Sequence, residues 1–326
     1  MSFNRFLPLA TLMAGAIGIA LSTSALPQAF PSKPLRVIVP TAPGGGNDIM
    51  ARIVSQKLSE RLKLPVIVEN RAGGNGAIAS EYVARATPDG YTMLFGYIAT
   101  HGINPALQKL SYDAVKDFSP IGQISEAQGV LVVYPGLPVN SVRELIAYAK
   151  AKPKALNYAS AGSGTAPHIS AEEFKLRTGI EMTHIPYKGS APGVTDTLAG
   201  QTQLMFPSLV AAMQHIKTGK LRALAVTGKN RSPLFQSLPT IAESGVPGFD
   251  VTQWYGFFAP AKTPQDVVQR LHSEILAVMK DGDTVKKFAE QGADVVTTSP
   301  EEFGKFVQSE IEKWTKVVKA ANITAD

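Results

Sequence analysis

The stretch Leu35-Arg-Val-Ile-Val-Pro-Thr-Ala-Pro-Gly-Gly-Gly-Asn-Asp-Ile-Met-Ala-Arg52 decides how the rest of the chain is read. Residues 35–39 form a short, largely apolar run, the pattern of a buried strand. Residues 40–47 contain three consecutive glycines. Beyond them Ile49, Ile53, Val54, Leu58 and Leu62 recur at helical spacing. Asp48 stands where an N-cap belongs, and Arg52 one turn on can pair with it. The order is therefore strand, glycine loop, helix. Such a loop leaves backbone N–H groups at the positive end of a helix dipole, open to an anion. A plain strand-to-helix turn would carry the same residues, so this stretch alone leaves both uses open.

Working outward, residues 65–70 read as a second strand. Gly73-Gly-Asn-Gly76 opens a helix through Ala86, and Tyr91-Thr-Met-Leu-Phe95 is a third strand. Near residues 121–126 the chain leaves this unit, and Val130-Leu-Val-Val133 starts a second alternation. Within it, Ser160-Ala-Gly-Ser-Gly-Thr165 is another glycine loop between a strand and a helix. The aromatic run Val251-Thr-Gln-Trp-Tyr-Gly-Phe-Phe-Ala-Pro260 carries the chain back. The last helix places Phe303, Val307, Ile311 and Trp314 on one core-facing stripe. The expectation is an α/β protein of two lobes, each a mostly parallel sheet flanked by helices, joined by two hinge crossings. Lobe one spans 33–125 plus 253–326, and lobe two spans 126–252. A chain of 326 residues is more than one core usually serves. Ligands in open α/β sheets bind beyond the carboxyl ends of the strands, which in two lobes face one another across a cleft.

Arg5, the apolar residues 6–21 and the small residues Ser22-Thr-Ser-Ala25 make a secretory signal peptide over residues 1–25. The apolar run is short and contains glycine, and no basic stop-transfer group follows it, which favours cleavage over a retained anchor. The expected location is the periplasm. With no cysteine in the chain, disulfides, thiolate metal sites and lipid attachment through cysteine are excluded. The net charge of +6 comes without a basic run or a basic–aromatic array, so nucleic acid is not an expected partner. A mild positive field suits a small anion.

Two glycine loops at opposed helix starts could hold a carboxylate from both sides. Ser160, Ser163 and Thr165 add hydroxyls, and Tyr97, Thr100 and Tyr187 stand at neighbouring strand ends. Lys188 is the one cation in a candidate cleft loop. Gly74-x-Gly76-x-x-Ala79 has the spacing of a dinucleotide fingerprint but follows the second strand, not the first. Ser163 lies in Gly-Ser-Gly rather than a nucleophile elbow. His168 has a carboxylate, Glu172, one turn on, and two ligands do not make a metal site. It starts the helix after the second loop, where it either faces the cleft or packs locally. No activated nucleophile, metal set or acid–base pair is assembled, so catalysis and a cofactor are not expected.

In this order, the motifs resemble the extracytoplasmic solute-binding receptors of tripartite tricarboxylate transporters, the Bug family. The matching stretches include Pro43-Gly-Gly-Gly-Asn-Asp-Ile-Met-Ala-Arg52, Val68-Glu-Asn-Arg-Ala-Gly73, Pro88-Asp-Gly-Tyr-Thr92, Tyr158-Ala-Ser-Ala-Gly-Ser-Gly-Thr165 with His168, Ile185-Pro-Tyr-Lys-Gly189 and Trp254-Tyr-Gly-Phe-Phe-Ala-Pro260. The resemblance implies a monomeric, non-enzymatic periplasmic-binding-protein (Venus flytrap) fold that closes on a small carboxylate and delivers it to membrane permease subunits. It implies a lobe-one site at Ala42, Pro43, Gly44, Gly45, Asn47 and Asp48, and a lobe-two site at Ser160, Gly162, Ser163, Gly164 and Thr165 with His168. Tyr97, Thr100, His101, Tyr187 and Phe206 lie at neighbouring strand ends. Gly46 and Asn47 replace the Pro or Ser and the Thr of many relatives, a swap that can alter one ligand hydrogen bond. The ligand class stays open among di- and tricarboxylates, amino acids and aromatic acids. A secreted nucleotide-dependent enzyme and a receptor serving a sensor kinase are the alternatives.

Overall fold

The computed structural model describes residues 1–2, 30–44, 46–187 and 189–324. The expected leader beyond its first two residues, Gly45 and Lys188 lie outside that description. The chain first lays down β1 (Leu35–Val39), α1 (Gly46–Leu62), β2 (Val66–Asn70), α2 (Ala77–Ala84) and β3 (Thr92–Tyr97). A π-helical turn, Ala99–Ile103, runs into the short α3 (Asn104–Leu107), and the long strand β4 (Phe118–Gln128) follows. Then come β5 (Val130–Val133), α4 (Val142–Ala151), β6 (Asn157–Ser160), α5 (Ala166–Thr178) and β7 (Thr183–Pro186). The alternation continues through α6 (Ser190–Leu198), β8 (Leu204–Met205), α7 (Leu209–Lys217) and β9 (Arg222–Val226). β10 (Thr252–Pro260) returns, and α8 (Gln265–Met279), α9 (Gly282–Glu290), β11 (Ala293–Val295) and α10 (Pro300–Ala320) finish the fold.

Two sheets result, ordered β11-β4-β10-β3-β1-β2 and β7-β6-β8-β5-β9. β2, β1 and β3 run parallel, as do β7, β6 and β8. The other pairs are antiparallel, so each sheet is mixed rather than mostly parallel. The cause lies in the crossings: β4 leaves the first sheet, β10 re-enters it, and the two run back beside each other. Their register pairs Gln128 with Thr252 and Ala127 with Gln253. This two-stranded ribbon is the joint between the lobes.

Local chemistry sets the helix starts. Ser141 caps α4 by accepting the Glu144 amide, and Ser299 and Glu302 form a reciprocal capping box at the start of α10, with Pro300 in the first turn. The core of lobe one forms where β10 brings Trp254, Tyr255, Phe257 and Phe258 into the middle of the sheet. Gly256 permits this, because a Cβ there would sit 2.3 Å from the ring of Phe303 on α10. Phe303, Val307 and Trp314 form the buried stripe of α10, with Ile311 at its margin.

Candidate functional site

β1 is buried except at Arg36, so the chain must turn sharply at its end before α1 covers the sheet. α1 begins at Gly46, which puts Asp48 in its first turn rather than at the N-cap. From there the carboxylate folds the loop. It accepts the Gly44 amide at 2.9 Å, Nε of Arg52 at 3.0 Å and Nδ2 of Asn70 at 2.9 Å. Burial alone would raise the Asp48 carboxyl, but the bonds from Arg52, Gly44 and Asn70 outweigh it and hold the group below its ordinary value. Asn70 also donates to the Thr41 carbonyl, so both ends of the loop are tied.

The loop opens onto a cavity of about 650 Å³ between the lobes. Gly44, Gly46, Asn47 and Met50 form its lobe-one wall. Ala166, Pro167 and Ser170 enter from α5, Ser190, Ala191 and Val194 from α6, and Ser208, Leu209 and Ala211 from α7. Gln128, Gly129, Gln253 and Tyr255 of the hinge ribbon close one side. Four helix beginnings thus meet at one cavity. The first amides of a helix lack intrahelical acceptors, and each helix start carries roughly half a positive charge. α5 and α6 have no side-chain cap to occupy those amides. No Asp, Glu, Lys or Arg lines the cavity among the described residues. Among the described residues the helix starts supply positive potential here, with His215 the one imidazole in the wall. Ile49, Val194, Leu198, Phe206 and Leu209 give the wall its apolar part, and Thr195, His215, Thr227 and Gln291 add polar groups. Asn47 is buried and its amide nitrogen has no hydrogen-bond partner.

Of the residues expected from the sequence, Gly44, Asn47 and Phe206 line this cavity. Ala42 and Pro43 are exposed at the loop edge, and Asp48 lies beneath it. The second glycine loop is used differently. Ser160 is buried, and its hydroxyl is shared between the Gly162 amide and Nε2 of His184. Thr165 donates to the Gly162 carbonyl at 2.6 Å, and the Gly164 amide donates to Nδ1 of His168 at 3.0 Å. The His168 and His184 rings stack at 4.1 Å. Ser163 is half-buried, and the residues after the loop, Ala166 to Ser170, reach the cavity instead. Tyr187 donates to Asp196 at 2.6 Å; burial and that bond push its phenol up to about 12. The phenol of Tyr97 turns to Asn75. Thr100 and His101 are placed away from the cleft. The π-helical turn carries them inward, where both are fully buried and the His101 ring stacks on Phe258 at 3.9 Å. Burial pushes the His101 imidazole down to about 3.

Sequence reasoning did not reach the hinge residues Gln128, Gln253 and Tyr255, or the α6 start. The signal for Ser208 was present, since it caps a helix directly after a strand. Gly74-x-Gly76 forms a tight 3-10 turn outside the cavity. A wider groove of about 710 Å³ lies on the outer face of lobe one, but its charges are already matched in the pairs Arg36–Glu69, Arg85–Glu81 and Lys33–Asp89.

Comparison with known proteins converges on one family. The model of the tripartite tricarboxylate transporter family receptor matches residues 50–323. Protein BugT of Bordetella pertussis is 35% identical over 322 residues, covering 98% of each chain. The solved structure of R. palustris Rpa4515 with adipate superposes with a TM-score of 0.82 at 37% identity, covering 91% of this chain and all of that one. MatC from Rhodopseudomonas palustris with bound malate gives 0.78 at 32% identity, over 89% of this chain and all of that one. With its two mixed sheets, paired crossings and interlobe cavity, the chain belongs to the tripartite tricarboxylate transporter receptor family.

Proposed function

We propose that this protein is an exported receptor that closes its two lobes on a small carboxylate and hands it to the membrane subunits of a tripartite transporter. The observation that carries this is the meeting of four helix starts at an interlobe cavity lined by no Asp, Glu, Lys or Arg among the described residues. An anion satisfies such a site without a counter-cation. A metal or a cationic ligand does not. The boundaries follow the ribbon: residues 33–125 with 253–326 form one lobe, and 126–252 the other.

The wall chemistry narrows the ligand. An ammonium group is best met by a carboxylate, and the added charge of a third carboxylate by a side-chain cation. No Asp, Glu, Lys or Arg lines the cavity among the described residues, whereas Ile49, Val194, Leu198, Phe206 and Leu209 suit a hydrocarbon or aromatic body. The ligand class is therefore a mono- or dicarboxylate with an apolar body. Gly44, Asn47, Ser170, Ser190, Ser208 and Phe206 are the proposed contacts. The ligands of the two relatives, adipate and malate, are both dicarboxylates.

A thermal-shift screen of the mature chain, unfolded and refolded to strip any carried ligand, tests this. Saturation at about a hundredfold over Kd adds about 2.7 kcal/mol, a rise of several degrees. Shifts with aliphatic or aromatic acids are expected; shifts with nucleotides alone would replace the receptor by the enzyme alternative.

A further inference from the structure

The turn Gly74-Asn75-Gly76 is not spent on the cavity, yet its central residue is held with unusual care. Asn75 has left-handed backbone angles, φ 51° and ψ 35°. A Cβ at Gly76 would sit 2.6 Å from Thr100 and 3.0 Å from Pro40, so the turn presses onto its own lobe. Asn104 donates to the Asn75 carbonyl at 3.0 Å, and the Tyr97 phenol reaches Oδ1 at 3.3 Å. The two amide hydrogens of Asn75 then go in two directions. One meets Oδ1 of Asn104 in the same lobe, at 3.1 Å. The other meets the carbonyl of Gly164, in the second glycine loop of the opposite lobe, also at 3.1 Å. Turning the amide over would set its oxygen against the Gly164 carbonyl, so the network fixes its orientation.

The receiving side is equally fixed. Gly164 is buried at φ 74°, its amide is held by His168, and a Cβ on it would lie 2.6 Å from Leu107 of lobe one. Leu107 therefore rests on the bare Cα of Gly164, beside the hydrogen bond. The second glycine loop, expected to hold ligand, meets the other lobe here.

We propose that Asn75 and Gly164 form a clasp that sets how long the lobes stay closed, with Asn75 acting as a positioning residue that never touches the ligand. This rests on the receptor reading, because a clasp controls ligand residence only if the cavity between the lobes is the binding site. Gly164 stands two residues before Ala166, the first cavity residue of α5. Holding Gly164 against lobe one thus fixes the α5 start at the cavity. The bond exists only when the lobes meet, so its loss should raise the dissociation rate and leave the association rate unchanged.

Two variants separate the clasp from folding. Asn75→Gly keeps the left-handed backbone and removes the side chain. Asn75→Asp keeps the shape but sets a carboxylate oxygen against the Gly164 carbonyl. Stopped-flow dissociation of adipate from refolded protein should be about two- to tenfold faster in N75G, the worth of one hydrogen bond, and faster still in N75D. In X-ray scattering without ligand, N75D should show a larger radius of gyration than wild type. Wild-type dissociation rates in both variants would overturn the clasp and leave the receptor standing. If no acid of the screen binds wild type, the receptor reading falls instead. The clasp is then decided by scattering alone, where equal radii for wild type and N75D would overturn it.

Discussion

Asp48 accepts the backbone N–H of Gly44 at 2.9 Å, so the loop that walls the cavity is shaped by a side chain of the helix it precedes. Arg52 and Asn70 hold the same carboxylate. Its pKa is depressed in the folded protein, so its stabilising contribution is complete above the unfolded value of 3.8 and is lost as pH falls through the folded value. Asp48→Asn should cost about 1.5–3 kcal/mol at pH 7, the range for hydrogen bonds to a charged group. The gap from wild type should close as pH falls below 3.8. Urea denaturation of both proteins across pH checks this.

Asn47 tests the charge preference of the cavity wall. Asn47→Asp places a negative charge in the first turn of α1, where the helix dipole favours it, and at the wall where a carboxylate would sit. The melting midpoint should fall, because a carboxylate buried without a cation costs more than the dipole returns, and affinity of the folded protein for an acid ligand should fall by more than about tenfold through like-charge repulsion. Calorimetric titration beside a melt reads both.

His101 should give the protein an acid-sensitive core. Its folded pKa is about 3 against 6.5 when free, because burial disfavours the charged ring. Below pH 6.5 the unfolded chain takes up a proton that the folded chain does not. Stability is therefore lost on acidification, at up to about 1.4 kcal/mol per pH unit, until the folded ring titrates near pH 3. His101→Phe should flatten the wild-type slope between pH 6 and 4 by that amount in denaturant midpoints.

The indole nitrogens of Trp254 and Trp314 both donate to Oε2 of buried Glu310, each at 2.9 Å, tying the returning hinge strand to the last helix. Glu310→Ala leaves two buried donors without an acceptor and should cost about 2–4 kcal/mol. Glu310→Gln keeps an acceptor and should lose less than half of that. Tryptophan fluorescence during urea unfolding gives both numbers.

Much of the fold was legible because its signals are local. The run 35–39, the glycines after it and the apolar spacing of α1 need no distant partner to be read, and Ser141 and Pro300 announce their helices in the same way. The site was legible only in part, because its remaining pieces depend on tertiary pairing. Gln128 and Gln253 come together when β4 and β10 align antiparallel, a register no local pattern specifies. Thr100 and His101 follow a strand end, as ligand contacts often do, but a π-helical turn drives them into the aromatic core. Ser160 and Thr165 have the right chemistry for a ligand and spend it inside their own loop.

The most direct test of the central claim compares an acid with its neutral isostere. Refolded mature protein is titrated calorimetrically with adipate and with adipamide, which share length and apolar body but differ in charge. If helix starts hold a carboxylate at the interlobe cavity, adipate binds and adipamide does not, and Asn47→Asp abolishes the adipate heat. Equal binding of acid and diamide, or adipate binding that Asn47→Asp leaves untouched, would contradict it.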